Sequence, residues 1–363
     1  MEEFLDFCKG KSIPVLIQEL TNEPYFVKIK RDSGYLVFSY DQIKTPTKYG
    51  FLHACRGLIT NQDLKIVCMS FIRFFNHHET CSAQIDWNSP SLTIQDKVDG
   101  SLIRFWKDPL TNEIRISSRN CVDANSAMLP SARTVGELVK EVITEEQMRF
   151  IKVECEKNRT VVCELWHPDN RVVCEYKTPG LWLLTVFDNK TYQEIQFSTD
   201  VFLTPKPYPL DSLNGLLYRL KSEDEKESDL EGYVVSDGKN RIKIKSLRYV
   251  MRHQIGFKHP TKITDDDIVK AILLDVSDDI PGIETQVEHF KNMFSKVFDF
   301  LSNEKMRMEA YSSSAEYFRN NKHMGKIAGI LKKFQKGIIL KEILLETKTP
   351  AEILKNLSEQ SVQ

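Results

Sequence analysis

Two segments with a turn between them, Glu231-Gly-Tyr-Val-Val235 and Arg241-Ile-Lys-Ile-Lys-Ser246, form the stretch of sequence that decides the fold. Both segments are rich in β-branched residues, and the intervening turn contains Asp-Gly, so together they predict an antiparallel β hairpin. Alternation along the second segment places its three cationic side chains on one face and its isoleucines on the other.

The register of this hairpin follows from the position assumed for its turn. With the turn centred on Gly238, the residues that face each other lie on the charged face of the hairpin. The expected pairs are Val235 with Arg241, Tyr233 with Lys243, and Glu231 with Lys245. A carboxylate beside two ammonium groups is suited to holding a triphosphate, although a surface strand with solvated lysines is the plainer alternative.

Similar short β-rich runs occur through the first 250 residues. They are Tyr35–Tyr40, Val161–Trp166, Val172–Tyr176, Leu181–Phe187 and Tyr233–Val235. Turn clusters at His167–Asn170, Asp188–Lys190 and Ser236–Asn240 separate them, which is typical of an antiparallel α+β domain. The charged segment Lys221–Asp229 is interpreted as a solvated loop within this domain.

Beyond residue 260 the hydrophobic period becomes helical. Thr264 with Asp265–Asp267 predicts an N-cap and an acidic first turn, and Thr349–Glu352 predicts a capping box with proline in first position. Apolar residues at three- and four-residue steps predict an amphipathic helix between them. These residues are Val287, Phe290, Phe294, Val297 and Leu301. The predicted fold is therefore α+β, with an antiparallel-sheet domain in residues 1–250 and a helical domain in 251–363.

The bulk properties narrow the class of protein. Fifty basic residues balance 51 acidic ones, which argues against indiscriminate coating of nucleic acid but leaves room for a local basic cleft. The eight cysteines form no Cys-x-x-Cys pair and are expected to be reduced. Neither a signal peptide nor a membrane-spanning helix is expected, so a cytoplasmic location is the expectation, with the nucleus as the alternative.

The segment Lys97-Val-Asp-Gly-Ser101 is the strongest chemical feature. Alone it is equally compatible with an ordinary Asp-Gly turn that carries an exposed lysine. Glu164, in an apolar strand, is costly to bury without a partner and is expected to face a polar cleft or a metal; the alternative is a strand residue on the solvent side. A lysine acts as a nucleophile when unprotonated, and neighbouring Lys243 and Lys245 would disfavour its charged form.

In order along the chain, these motifs resemble the signatures of covalent nucleotidyltransferases, and most closely those of the bacteriophage-type tRNA-repair RNA ligases. The resemblance rests on several further elements. They are Cys55-Arg-Gly57, Arg73-Phe-Phe-Asn76, Pro168-Asp-Asn-Arg-Val-Val173 and Lys243-Ile-Lys-Ser-Leu-Arg-Tyr249. The resemblance covers roughly residues 35–250.

The resemblance implies a set of site residues and cofactors. Lys97 would carry AMP from ATP, Lys243 and Lys245 would assist as catalytic cations, and Glu164 and Glu231 would bind ribose or Mg²⁺ (or Mn²⁺). The remaining implied nucleotide contacts are Asp99, Gly100, Arg56, Arg73, Phe75 and Gly232. A segment that is often lysine-rich in the family is Ser117-Ser-Arg-Asn120 here, so Arg119 is assigned that role.

The implied reaction joins a 3′-hydroxyl and a 5′-phosphate of RNA, expected to be tRNA, through lysyl-AMP and RNA-adenylate. A separate kinase and phosphatase would prepare the ends. The alternatives are an mRNA capping guanylyltransferase or DNA ligase, both of which place a β-barrel after the last lysine motif, and a catalytically silent RNA-end-binding protein.

Weaker signals leave other interpretations open. His77–Cys81 is expected to be a loop rather than a zinc site, and the basic segment Lys322–Lys341 suits tRNA binding and an ordinary solvated face equally. The tryptophans are expected to pack rather than stack on bases. They are Trp87, Trp106, Trp166 and Trp182.

Overall fold

The structure, a computed structural model, describes most of the chain. The described residues are 1–41, 44–79, 81–129, 131–209, 212–226, 229–246, 249–250, 264–273, 277, 283–336, 338, 340–345, 347 and 349–360. The chain divides into two compact units, Met1–Val250 and Met251–Gln363. Among the described helices, none combines the length and apolar character needed to cross a membrane.

Strands and helices of the first unit alternate along the chain. The strands are β1 (Val27–Asp32), β2 (Tyr35–Tyr40), β3 (Arg56–Asn61), β4 (Ile66–Cys68), β5 (Phe75–Asn76), β6 (Thr93–Asp96), β7 (Ser101–Lys107), β8 (Ile114–Ser118), β9 (Arg159–Trp166), β10 (Gly180–Asp188), β11 (Glu194–Ile195), β12 (Gly232–Ser236) and β13 (Arg241–Lys245). The helices are α1 (Glu2–Cys8), α2 (Ile13–Thr21), α3 (Val135–Val142), α4 (Glu145–Glu156) and α5 (Leu213–Glu225).

Three sheets build this unit. Their strand orders are β1-β2-β3-β4, β11-β10-β9-β7-β8 and β5-β13-β12-β6, and all described pairs are antiparallel except β13 with β5. Helices α1 and α2 pack on the first sheet. Helices α3 and α4 begin with capping boxes at Thr134 and Thr144 and cover the second sheet, so their apolar faces complete its core.

The hairpin β12–β13 forms as predicted, but the expected register was wrong by one residue. Ser236 pairs with Arg241, and Tyr233 pairs with Ile244 rather than with Lys243. The turn holds four residues instead of five because the Asp237 carboxylate accepts the amides of Lys239 and Asn240. A one-residue shift exchanges the faces of a strand, so Tyr233 is buried on the isoleucine side.

Two further predictions for the first unit were also wrong. Residues 172–176 form no strand, because the amides of Val173 and Cys174 donate to the Asp99 carboxylate instead of to a neighbouring strand. The charged segment begins inside α5, which runs to Glu225, rather than in a loop. Burial of Leu216 and Leu220 against the third sheet stabilises that helix, while its charged residues keep the opposite side polar.

Every regular element that the structure describes in the second unit is helical. The helices are α6 (Asp265–Leu273), α7 (Glu284–Glu309), α8 (Ser314–Asn320), α9 (Ala328–Gln335), α10 (Leu340–Leu345) and α11 (Pro350–Gln360), with a 3₁₀ segment at Lys322–Ile327. Thr264 caps α6 as predicted, and the five apolar residues predicted for α7 are buried. With antiparallel sheets followed by helices, the predicted α+β class is confirmed.

Candidate active site

Lys97 lies at the end of β6, against a buried carboxylate. Its amide donates to the Gly232 carbonyl over 2.9 Å, which ties the residue to the start of β12. Its Nζ lies 2.8 Å from Glu231 Oε2, and the Nζ of Lys245 lies 3.2 Å from Glu231 Oε1. The Glu231 side chain is 2% exposed and that of Lys97 is 24% exposed. A single buried carboxylate therefore links an accessible lysine to a second cation.

This arrangement differs from the expectation that Lys243 and Lys245 lie next to Lys97. The carboxylate of Glu231 lies between Lys97 and Lys245. Although Glu231 is not opposite Lys245 in the ladder, its carbonyl accepts the Ser246 amide, so the residue stays beside the end of β13. The expected ion pair between the Glu231 and Lys245 side chains therefore forms, but between diagonal rather than directly opposed positions of the hairpin.

Asp99 fixes the loop that follows Lys97. Its Oδ2 accepts the amides of Val173 and Cys174, each over 2.8 Å, and its Oδ1 accepts the Tyr249 hydroxyl over 2.6 Å. Its own amide donates to the Tyr176 hydroxyl over 2.9 Å. Both carboxylate oxygens thus accept hydrogen bonds from the protein, so Asp99 holds this loop in place.

Two glycines of the predicted site lie where the backbone approaches another strand. A Cβ on Gly100 would lie 2.3 Å from the Leu165 carbonyl oxygen of β9. A Cβ on Gly232, which has φ +145°, would lie 2.0 Å from the Ile244 carbonyl oxygen. Any side chain at either position would displace the strands that carry Glu164 and Lys245.

Glu164 lies on the central strand β9, between Leu102 on β7 and Trp182 on β10. Burial raises the pKa of its carboxyl to about 8; the nearby Lys97 charge opposes this rise, and the Glu231 charge adds to it. The surroundings of this carboxyl therefore favour its protonated form. An additional cation in the site would favour its ionised form.

The predicted arginines gather around Tyr40, a residue that the sequence did not mark as functional. The guanidinium carbons of Arg73 and Arg119 lie 4.3 Å and 5.1 Å from the Tyr40 ring centre. Burial would raise the pKa of Tyr40, but the surrounding cations outweigh it and lower that pKa. These cations are Arg119, Arg56, Arg73 and Lys243.

No local pattern identifies Tyr40, because the cations around it come from segments far apart in the sequence. Arg73 also lies 5.0 Å from the ring of buried Phe75, so Phe75 supports that arginine. Burial and the neighbouring Arg119 charge lower the pKa of Arg56, which indicates a positive site with little opposing charge. Such a site is suited to a phosphate or another oxyanion.

The two groups of residues adjoin each other. Glu164 and Arg56 interact electrostatically, and Lys243 and Lys245 lie on the same face of β13. Within the described residues, no cluster of three or more His, Cys, Asp and Glu side chains could hold a metal ion. Glu164 and Glu231 are the predicted metal ligands, and the Glu164 carboxyl interacts electrostatically with both Glu231 and Lys97. The site as a whole combines a lysine, two carboxylates and a cationic surface.

The comparisons with known proteins point to one family. The sequence model of the family described as RNA ligase matches residues 54–249, more than half of the 363 residues. The RNA ligase 1 of bacteriophage TS2126 is 26% identical over 208 residues. That match covers 53% of this chain and 49% of the phage protein, so the chain spans about half the length of this relative.

Two solved structures with limited similarity to this chain are both described as RNA ligases. An archaeal ATP-dependent RNA ligase has a TM-score of 0.43 at 11% identity, covering 80% of this chain and 82% of the other. A Naegleria gruberi RNA ligase with pyrophosphate has a TM-score of 0.32 at 15% identity, covering 45% and 51% of the respective chains.

Proposed function

The chain belongs to the RNA ligase family, and from that premise we propose that it is an ATP-dependent RNA ligase with Lys97 as its nucleophile. The observation that carries this proposal is the partly exposed Lys97 Nζ, held 2.8 Å from Glu231 beside a cluster of cations. A lysine in such surroundings is equipped to attack a phosphorus atom whose charge the cations offset.

The first step transfers AMP from ATP to the protein. Lys97 Nζ loses a proton and attacks the α-phosphorus; a P–N bond forms, and the bond to pyrophosphate breaks. Glu231 Oε2 already accepts a hydrogen bond from this Nζ, so it orients the lysine and is placed to receive its proton. In the later steps AMP passes to an RNA 5′-phosphate, and a 3′-hydroxyl displaces it to form the phosphodiester.

The phosphates of ATP occupy the cationic surface in this proposal. Arg56, Arg73 and Arg119 lie around Tyr40, and Lys243 and Lys245 extend the positive surface along β13 towards Lys97. Charge on the departing pyrophosphate would be offset where it develops. The half-buried Trp182 lies beside Glu164 and offers an apolar surface on the nucleoside side.

Glu164 and Glu231 fit a divalent cation in this site. Mg²⁺ is commonly held by one or two carboxylates together with substrate phosphates and water, so a cluster of three protein ligands is not required. The raised pKa of the Glu164 carboxyl fits a group whose ionised form becomes favourable when a cation binds next to it. Bound Mg²⁺ or Mn²⁺ would supply further positive charge at the phosphates.

The helical unit contributes to RNA binding in this proposal. Lys332, Lys333 and Lys336 are exposed on and just after α9, which suits contact with the phosphates of a tRNA. The fourth lysine noted there, Lys326, lies in the 3₁₀ segment. The proposed substrate carries a 5′-phosphate and a 3′-hydroxyl, so separate kinase and phosphatase activities would prepare damaged ends.

The test is incubation with α-labelled ATP and Mg²⁺, followed by a denaturing gel. We expect a label that remains on the protein, is released by added pyrophosphate, and is absent from Lys97→Ala. The matched control is Lys107→Ala, which removes a half-buried lysine paired with Glu156 at the far end of β7. Labelled protein mixed with RNA and DNA ends then identifies the acceptor.

The rival functions correspond to other results of the same assay. Labelling by GTP instead of ATP would favour a capping guanylyltransferase, and transfer to DNA ends alone would favour a DNA ligase. The described elements after Val250 are helices rather than the β-barrel expected of both. Absence of label from either nucleotide would contradict the ligase proposal and favour a silent RNA-end-binding protein.

A further inference from the structure

Arg104 is a buried arginine that the proposed chemistry does not use. It lies on β7, facing the first sheet, and its side chain is 0% exposed. Burial of a guanidinium without a counter-charge is costly. Among the described residues, no carboxylate forms an ion pair with Arg104; instead, Nη1 donates to the Gly57 carbonyl and Nη2 donates to the Ser118 carbonyl over 2.6 Å.

These two carbonyls belong to neighbours of site residues. Gly57 follows Arg56 at the start of β3 in the first sheet, and Ser118 precedes Arg119 at the end of β8 in the second sheet. The two segments are in direct contact, since a Cβ on Gly57, which has φ +84°, would lie 2.2 Å from the Arg119 carbonyl oxygen. One planar guanidinium therefore joins the backbones of both arginine-bearing segments.

Arg56 and Arg119 have an electrostatic reason to separate. The charge of Arg119 adds to burial in lowering the pKa of Arg56, so the two guanidinium groups repel each other in the nucleotide-free protein. Hydrogen bonds from Arg104 to the adjoining carbonyls oppose that separation. A site whose cations are already in place loses less free energy to reorganisation when an anion binds.

We propose that Arg104 is a positioning residue, whose bidentate bonds to Gly57 and Ser118 hold Arg56 and Arg119 together as one phosphate-binding site. The identity of the anion rests on the proposed function. A lysine could keep the charge but could not reach both carbonyls with one planar group. The Arg104→Lys variant therefore keeps the positive charge but removes the bridge between the Gly57 and Ser118 carbonyls.

The experiment measures lysine adenylylation at varied ATP, together with pyrophosphate binding by calorimetry. For Arg104→Lys we expect half-saturating ATP and the pyrophosphate dissociation constant to rise about tenfold, with the maximal rate changed less than about threefold. The matched control is Ile103→Val, the fully buried neighbour that faces the other core of the same sheet. It should lower the unfolding midpoint and leave both binding parameters unchanged.

A second variant tests the same contact without altering Arg104. Gly57→Ala should push Arg119 away from β3 and raise half-saturating ATP in the same manner. In Arg104→Lys combined with Arg119→Ala, the two increases should not add, because Arg104 acts through Arg119.

Two results would overturn the proposal: binding parameters for Arg104→Lys that match those of Ile103→Val, or fully additive effects in the double variant. If the wild-type protein takes no label from ATP, the ligase proposal fails. The comparison of pyrophosphate dissociation constants then still decides the role of Arg104, since that measurement requires no catalysis.

Discussion

The hydroxyl of Tyr249 donates a 2.6 Å hydrogen bond to the carboxylate of Asp99, although 150 residues separate them in the chain. Asp99 lies two residues after Lys97, so the bond ties the end of the first unit to the loop that carries Lys97. Burial and the neighbouring carboxylates raise the pKa of Tyr249, which keeps its hydroxyl protonated as a donor. The position of Lys97 therefore depends on a residue beyond the last strand.

Tyr249→Phe should slow lysine adenylylation. One oxygen of a buried carboxylate loses its donor, at a cost of about 1–3 kcal/mol, and the loop that carries Lys97 becomes less well fixed. We expect about a tenfold fall in the single-turnover rate at saturating ATP. Tyr317→Phe is the control, because it removes a buried bond to Glu304 in the helical unit. An equal slowing in both variants would argue against a local role for Tyr249.

Glu231→Gln should nearly abolish formation of the labelled protein. The amide cannot accept the Lys97 proton, and it leaves Lys97 and Lys245 without the carboxylate that separates them. A loss of at least about a hundredfold in the adenylylation rate is expected. Glu223→Gln, which alters a surface ion pair with Arg219, should keep the wild-type rate. Retention of wild-type rate by Glu231→Gln would refute the proposed role.

The raised pKa of the Glu164 carboxyl predicts a pH dependence of stability. The folded protein binds this proton more tightly than the unfolded chain, with a pKa of about 8 against 4.5. Its contribution is therefore fully present below pH 4.5 and is lost as the pH rises towards 8. Glu164→Gln should remove that decline, which amounts to a few kcal/mol at most.

Urea denaturation of nucleotide-free protein at pH 5, 6, 7 and 8 measures the predicted decline. The difference in unfolding free energy between wild type and Glu164→Gln should shift steadily in favour of the variant as the pH rises. Added Mg²⁺ should reduce this difference, since a cation favours the ionised carboxylate. A constant difference across the four pH values would contradict the assignment.

Asp237→Ala should weaken the hairpin that carries the site lysines. The Asp237 carboxylate accepts amides within the turn and the Asp86 amide, which together hold its pKa below the usual range despite burial. Its loss should cost about 1–3 kcal/mol of stability. Binding of ATP should weaken as well, because a change of turn length would reverse the faces of β13. An unchanged denaturation midpoint would refute the role of this turn.

Charge reversal on the helical unit should separate lysine adenylylation from RNA joining. With Lys332, Lys333 and Lys336 replaced by Glu, we expect normal labelling from ATP but sealing of nicked tRNA reduced about tenfold or more at physiological salt. Lys28→Glu with Lys30→Glu, on the exposed side of β1, is the control. Equal loss in both variants would indicate a general effect of charge rather than a binding surface.

The sequence by itself determined the class of the fold and singled out Lys97 as the candidate nucleophile, a role that stays a prediction. Hydrophobic periods of two and of 3.6 residues are local properties, so the strands before residue 250 and helices such as Glu284–Glu309 were predictable. The motif at Lys97 was recognisable because its residues are adjacent in the sequence, whereas the ion pair of Lys97 with Glu231 was not predicted, since the sequence placed Glu231 beside Lys243 and Lys245.

The tertiary structure decided what depends on contacts between distant segments. The register of β12 and β13 depends on hydrogen bonds to the Asp237 side chain within a four-residue turn. Residues Val172–Tyr176 form no strand because backbone amides in this segment donate to the Asp99 carboxylate. Tyr40 and Arg104 acquire their surroundings when separate sheets pack together. Local periodicity does not predict such contacts, because they stabilise the protein only after folding has brought distant segments together.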